Sequence, residues 1–152
     1  MKHTIKLRTK YEPSKWKIFR KAGCYPYILN IFEDRFMFIG NFIGEMCTSS
    51  TPDEELIKVL CQELDYLGYS VTEDDSLGPI NKGERRIYLQ REIHTGYYHL
   101  LRQDANGLWS HKYPGELPTQ RDSLGQIIRV PEDSAENPFD GWCFRLSKKL
   151  AK

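Results

Sequence analysis

The sequence predicts an α+β fold, and three observations carry that expectation. One long segment, 51–67, repeats its apolar residues at helical spacing. Several short segments rich in Tyr, Ile and Leu follow it. Gly-Pro and Asp-Ala-Asn-Gly turn signals, rather than further helical patterns, punctuate those segments. No internal repeat, low-complexity tract or interdomain linker interrupts the 152 residues. They are expected to form one domain, 1–152, with a basic N-terminal arm (1–21) and a loop-rich C-terminal segment (116–152) that contains a closing strand.

Taken in chain order, Ala22-Gly23-Cys24-Tyr25-Pro26 precedes an apolar run of Tyr27, Ile28, Leu29, Ile31 and Phe32. Gly23 permits a tight turn, and Pro26 suits only the first turn of a helix. A helix is therefore expected to start at or just after Cys24, with a strand as the alternative for so short a run. In 51–67, Thr51 and Glu54 have capping-box spacing and Pro52 stands at the first helical position. Asp53, Glu54 and Glu55 complement the helix dipole, Leu56, Leu60, Leu64 and Leu67 share one face, and Gly68 can close the helix. This helix reads as scaffold. After the loop punctuated by Gly78-Pro79 and Lys82-Gly83, strands are expected over 86–91 and 97–102. The turn Asp104-Ala105-Asn106-Gly107 then returns the chain into 108–112, and Tyr113-Pro114-Gly115 ends that hairpin. A strand over 142–146 and a basic tail follow.

Hydrophobic residues make up 39% of the chain and aromatics 12%, enough for a buried core. Charged residues reach 28%, but they nearly cancel to +1, so nothing global points to nucleic acid. The balance is uneven: Lys2, Lys6, Arg8, Lys10, Lys15, Lys17, Arg20 and Lys21 are opposed only by Glu12. That arm reads as a solvated basic face, or else as a contact for a protein partner. Trp16 and Phe19 within it read equally as core anchors or as stacking platforms. No apolar run follows the N-terminal basic residues. The apolar stretch around 36–43, broken by Gly40 and Asn41, is too short to span a bilayer. The chain is expected to be cytoplasmic, off the membrane and without a cofactor.

Four cysteines occur, Cys24, Cys47, Cys61 and Cys143, and no pair has C-x-x-C spacing. All read as reduced thiols. Cys61 and Cys143 read as core residues and Cys47 is ambiguous, while Cys24 has the most unusual context. A cysteine nucleophile must be a thiolate, favoured by a helix N-terminus and a neighbouring imidazolium. A helix start also supplies backbone N–H donors for an oxyanion. The base is a histidine that needs a third group to fix its tautomer. His99 and His111 fall on the two strands of the expected hairpin and can supply base and orienter. A helix-start Cys packed on a small antiparallel sheet that carries His is the papain-like solution.

The stretch His99-Leu100-Leu101-Arg102-Gln103-Asp104-Ala105-Asn106-Gly107-Leu108-Trp109-Ser110-His111 resembles the histidine hairpin of NlpC-type cysteine peptidases. The resemblance implies a papain-like fold over about Cys24 to Gly115, with Cys24 as nucleophile, His99 as base and His111 as the orienting residue. It further implies a hydrolase or acyltransferase acting on an amide, ester or thioester of a peptide, protein or acyl substrate. Two motifs are also similar to an uncharacterised bacterial and phage-type group: Cys24-Tyr25-Pro26-Tyr27-Ile28-Leu29-Asn30, and the run from Tyr98 to Lys112. The chain departs from cell-wall members of the peptidase family, which place a small residue and Trp soon after the Cys, where Tyr25 and Pro26 stand here.

Other readings of the same residues stay open. His99 and His111 read as a paired hairpin contact without chemistry. Cys24, His99 and His111 form a zinc-ligand set on residue type, although no H-E-x-x-H or paired C-x-x-C supports a metal. The fold also suits a non-catalytic interaction or inhibitor protein of a mobile element, with the basic arm and the loop 81–86 as contact surfaces. His94 reads as a turn residue and Asp104 as part of the hairpin turn. Arg102 and Gln103 are expected to line the cleft or tie the strands, and Trp109 to cover the catalytic pair.

Overall fold

The structure, a computed structural model, describes residues 10–149. Lys2, Lys6 and Arg8 of the expected basic arm lie outside the described residues. The elements are α1 (Cys24–Ile28), α2 (Asp53–Tyr66), β1 (Tyr69–Asp74), β2 (Glu84–Glu92), β3 (Tyr98–Gln103), β4 (Trp109–Ser110) and β5 (Phe139–Lys148), with single 3-10 turns at Pro13–Trp16 and Pro131–Asp133. The strands form one antiparallel sheet in the order β1-β5-β2-β3-β4. The architecture is thus α+β. Among the described residues no helix is long and apolar enough to cross a membrane.

The expected long helix forms, and its Leu56, Leu60 and Leu64 are fully buried. Its start differs from the capping-box expectation. Pro52 is the N-cap residue and no side chain caps the helix. The Thr51 hydroxyl instead accepts the Thr48 N–H at 2.9 Å, which spends the oxygen a capping box needs. Gly68, at φ 100°, closes the C-terminus as expected. The polar, alternating run of β1 gave no strand expectation, and 108–112 shortens to Trp109–Ser110 because His111 turns away to bridge Thr119.

Both faces of the sheet are covered. Ile87, Leu89, Leu100, Phe144 and Leu146 point toward α1 and α2 and join the main core with Trp16, Tyr27, Ile28 and Leu60. The alternate residues Tyr88, Leu101 and Cys143 meet Trp109 and Ile128 on the opposite face, beneath the C-terminal loops. Trp16 is therefore a core anchor of the arm, tilted against Phe32 at 4.7 Å and edge-on to Tyr27 at 5.1 Å between ring centroids.

A buried carboxylate joins the helical layer. Glu63 on α2 is fully buried; it accepts N–H bonds from Gly40 (2.8 Å) and Phe42 (2.7 Å) and the hydroxyl of Tyr25 on α1. Gly40 sits at φ 96°, and a Cβ there would lie 2.1 Å from the Glu45 carbonyl oxygen, so the loop accepts only glycine. Glu63→Ala strands three donors at once, two of them buried and one half-buried. It is expected to cost about 2–3 kcal/mol in urea unfolding, because each unpaired buried donor costs on the order of 1 kcal/mol or more. A loss below about 1 kcal/mol would contradict this role.

Candidate functional site

Cys24 is the first residue of α1, a helix too short to hold itself together. Tertiary contacts fix it. Tyr25 is held by Glu63, and the Tyr27 hydroxyl lies 2.6 Å from Ser110 Oγ. Arg102 on β3 donates to the Tyr27 carbonyl at 3.1 Å and to Asn30 Oδ1 at 2.6 Å, with its guanidinium 4.0 Å over the Tyr27 ring. Arg102 is also ion-paired to Asp104 at 3.0 Å, both side chains being buried. Lys112 sends its ammonium to the carbonyls of Ala22 and Arg20, clamping the segment that leads into Cys24. Gly23 has an extended backbone rather than a tight-turn conformation. Its use is close approach, since a Cβ there would press on the Phe36 ring at 3.2 Å.

Cys24 and His99 line one cavity of about 590 Å³, walled by Phe36, Phe38, Tyr98 and Tyr113. The direction of the amides along β3 explains how Cys24 meets this strand. The Asp104 N–H donates across the hairpin to Leu108 at 2.8 Å, and alternate amides face the same way, so the Leu100 N–H also points to that edge. β4 is only two residues long and leaves this stretch of edge open. The Leu100 amide is one of three backbone N–H groups, with those of Cys24 and Tyr25, that favour a charged Cys24 sulfur. Among the described residues Cys24 makes no side-chain hydrogen bond to His99; the two residues share the lining of the cavity.

The two histidines do touch. His99 Nε2 lies 2.8 Å from His111 Nδ1, and His111 Nε2 lies 2.9 Å from the Arg121 carbonyl oxygen. A carbonyl only accepts, so His111 carries its proton on Nε2 and presents a lone pair at Nδ1. That lone pair accepts the Nε2–H of His99, which leaves His99 Nδ1 bare. Tyr113 stacks flat on the His99 ring, at 4.3 Å between centroids. Asp122, one residue beyond Arg121, has a carboxyl held low chiefly by the N–H of Ala135, and a protonated His111 would lower it further.

The electrostatics differ from the expected thiolate. Burial pushes the Cys24 thiol up to about 11, outweighing the three backbone N–H groups. Burial, with the repulsion that a protonated His111 would add, brings His99 down to about 3. The resting pair is a neutral thiol and a neutral imidazole. The five-residue α1 has too little dipole to reverse desolvation.

The remaining candidates fall elsewhere. His94 is exposed in the turn between β2 and β3. Asp104 serves Arg102 and Gln120, not a histidine. Gln103 ties Arg86 and the Gly107 carbonyl. Trp109 is buried in the second core against Tyr88 and does not cover the pair; Tyr113 takes that place. All four cysteines are free: Cys47 and Cys143 are buried, and Cys61 is half-buried against the main core. Among the described residues no group of three or more His, Cys, Asp or Glu is arranged to hold a metal ion. Sequence reasoning missed Lys112, Tyr113 and the Arg121 carbonyl. The first two follow His111 directly, and the basic residue in the Tyr98–Lys112 motif was the available signal.

The shifts set a pH signature. Between about 6.5 and about 3 the unfolded chain binds a proton at residue 99 that the folded one refuses. Folding stability therefore falls as pH drops through that window, with a slope of up to about 1.4 kcal/mol per pH unit. From 9.0 to about 11 the unfolded thiol ionises while folded Cys24 stays protonated, so stability also falls as pH rises there. Urea midpoints measured against pH should show both slopes, with the acid one reduced in His99→Gln and the alkaline one in Cys24→Ala. Unchanged slopes in these variants would refute the burial argument. No protein-family model, curated protein or solved structure matches this chain.

Proposed function

We propose that the protein is a papain-like cysteine hydrolase or acyltransferase, working on an amide, ester or thioester through Cys24, His99 and His111. One observation carries the reading: the hydrogen-bonded chain from the Arg121 carbonyl through His111 to His99, which leaves His99 Nδ1 free on a cavity shared with Cys24. The resemblance of the His99–His111 hairpin to NlpC-type peptidases supports the same assignment. The proposed setting is the cytoplasm and the proposed substrate a peptide, protein or acyl group.

In this mechanism the neutral pair reacts by general-base catalysis rather than as a preformed ion pair. His99 Nδ1 takes the thiol proton as Cys24 Sγ attacks the carbonyl carbon. The imidazolium is stabilised by His111, whose second nitrogen remains on the Arg121 carbonyl, and by the charge of Asp122 nearby. Backbone N–H groups at the start of α1, which have no carbonyl partner within the helix, face the developing oxyanion. His99 then returns the proton to the leaving nitrogen, oxygen or sulfur. A thioester on Cys24 remains, and water or another nucleophile releases the acyl group with His99 again as base.

A panel of peptide amides, acyl-glutamines and thioesters tests the reading. Cys24→Ala should abolish turnover, and His99→Ala should lower it by about 10²–10⁴-fold, the range for a lost general base. His111→Ala should lose less, with His111→Gln retaining more than His111→Ala. Turnover that survives Cys24→Ala would end the proposal.

The neutral resting pair also favours a second reading, a non-catalytic binder of phage or mobile-element type. Iodoacetamide labelling of Cys24 against pH separates the two. A slow profile for the free protein fits both, so the decisive measurement adds substrate-like acyl probes. Acylation of Cys24 that depends on His99 favours the enzyme. Inertness to every probe favours the binder, to be pursued by pull-down.

A further inference from the structure

At the opposite end of β2 from the Cys24 cavity lies a buried cation with no carboxylate partner among the described residues. Arg85 is 1% exposed. All three guanidinium nitrogens are shielded from solvent and have no hydrogen-bond partner, and the hydroxyl of Tyr69 on β1 is buried and unpartnered in the same way. The two residues are on the same face of the sheet. The Arg85 guanidinium carbon stands 5.8 Å from the centroid of the Tyr69 ring, across β5. Burial lowers the Arg85 pKa to about 10, and among the described residues the like charge of Arg102 lowers it further.

Arg85 also lines a cavity of about 340 Å³, together with Asn81, Lys82, Gly83, Gln103 and Gly107. Two carboxylates border that cavity, and both are committed elsewhere. Glu84 accepts the Asn81 N–H at 3.0 Å and lies 3.7 Å from Arg145. Asp104 is held by Arg102 and Gln120, at 3.0 Å each. The fold therefore buries a five-donor fork and a phenol without an acceptor, although a buried charge is tolerated only when paired. Every other buried arginine of the sheet is paired: Arg86 with Asp74, Arg91 with Asp53 and Arg102 with Asp104.

We propose that Arg85, Tyr69 and the adjoining cavity form a binding site for a small oxyanion-bearing ligand, a carboxylate or a phosphate, separate from the Cys24 cleft. A guanidinium fork takes two oxygens of such a group side by side, and the phenol supplies a third donor. The guanidinium lies inside the fold, so a small molecule fits where a flat protein surface does not. Lys82 on the cavity wall adds a second positive group.

The test titrates the whole protein with inorganic phosphate and, separately, with succinate at constant ionic strength, by calorimetry and thermal unfolding. Saturable one-site binding with a rise in melting temperature is expected for at least one probe, and which probe acts identifies the oxyanion. Arg85→Lys keeps the charge but loses the fork and should weaken binding by about tenfold or more. Tyr69→Phe removes one donor and should weaken it by a few-fold, while the exposed control Arg35→Met should leave it unchanged. Absence of saturable binding of either probe to the wild type overturns the proposal. So does binding that Arg85→Lys and Tyr69→Phe leave intact. Should Arg85→Lys not fold, Tyr69→Phe and the wild-type titration decide.

Discussion

A single buried carboxylate, that of Glu63, organises the helical side of this protein. It carries no cationic partner within its hydrogen-bonded set; it is satisfied by two backbone N–H groups and one phenol. Those partners belong to two pieces of the site. Tyr25 adjoins Cys24, and the amides of Gly40 and Phe42 belong to the loop whose neighbouring residues, Phe36 and Phe38, wall the cavity. The Tyr98 hydroxyl completes the arrangement from the sheet, donating to the Cys47 carbonyl and accepting the Ile39 N–H. A five-residue helix and an irregular loop thus acquire fixed positions from α2 and β3, which are regular elements. Arg102 and Lys112 do the same from the other side.

The geometry so obtained favours neutral forms. Packing that fixes Cys24 also strips it of water, and desolvation outweighs what three amides return. The His99 ring, stacked on Tyr113 and bonded to His111, is equally averse to charge at rest. Under the proposed mechanism the two charges would appear together, when the proton passes from sulfur to nitrogen and each product stabilises the other. Substrate binding that excludes the remaining water would strengthen that mutual attraction.

The sequence made the long helix, the helix start at Cys24 and the His99–His111 hairpin legible, because each has strong local punctuation: Pro52 and Gly68, Gly23 and Pro26, Asn106 and Gly107. β1 was invisible, since its Ser70, Thr72 and Glu73 face outward and its partner is far away in sequence. The pairing of His99 with His111 was read from their placement on adjacent strands, but the Arg121 carbonyl that sets the tautomer belongs to a loop with no local signature. The direction of the Cys24 shift also escaped the sequence. A helix start argues for a thiolate, and only packing reveals how much water the sulfur has lost. Trp109 and Tyr113 exchanged roles because Ser110 points to Tyr27, which sends Trp109 to the opposite face.

The strand order carries a consequence for how the chain assembles. β1 and β2 are consecutive in sequence but do not pair; each bonds to β5, which enters between them. During synthesis on the ribosome, the hairpin of β2 and β3 can close while β1 still has no strand partner, and its polar edge waits for residues 139–148. The half of the sheet that bears His99 is thus available early, whereas the half that bears Tyr69 is completed last. Such late, sequence-distant pairing slows folding and leaves an open strand edge exposed to neighbouring nascent chains in the interval.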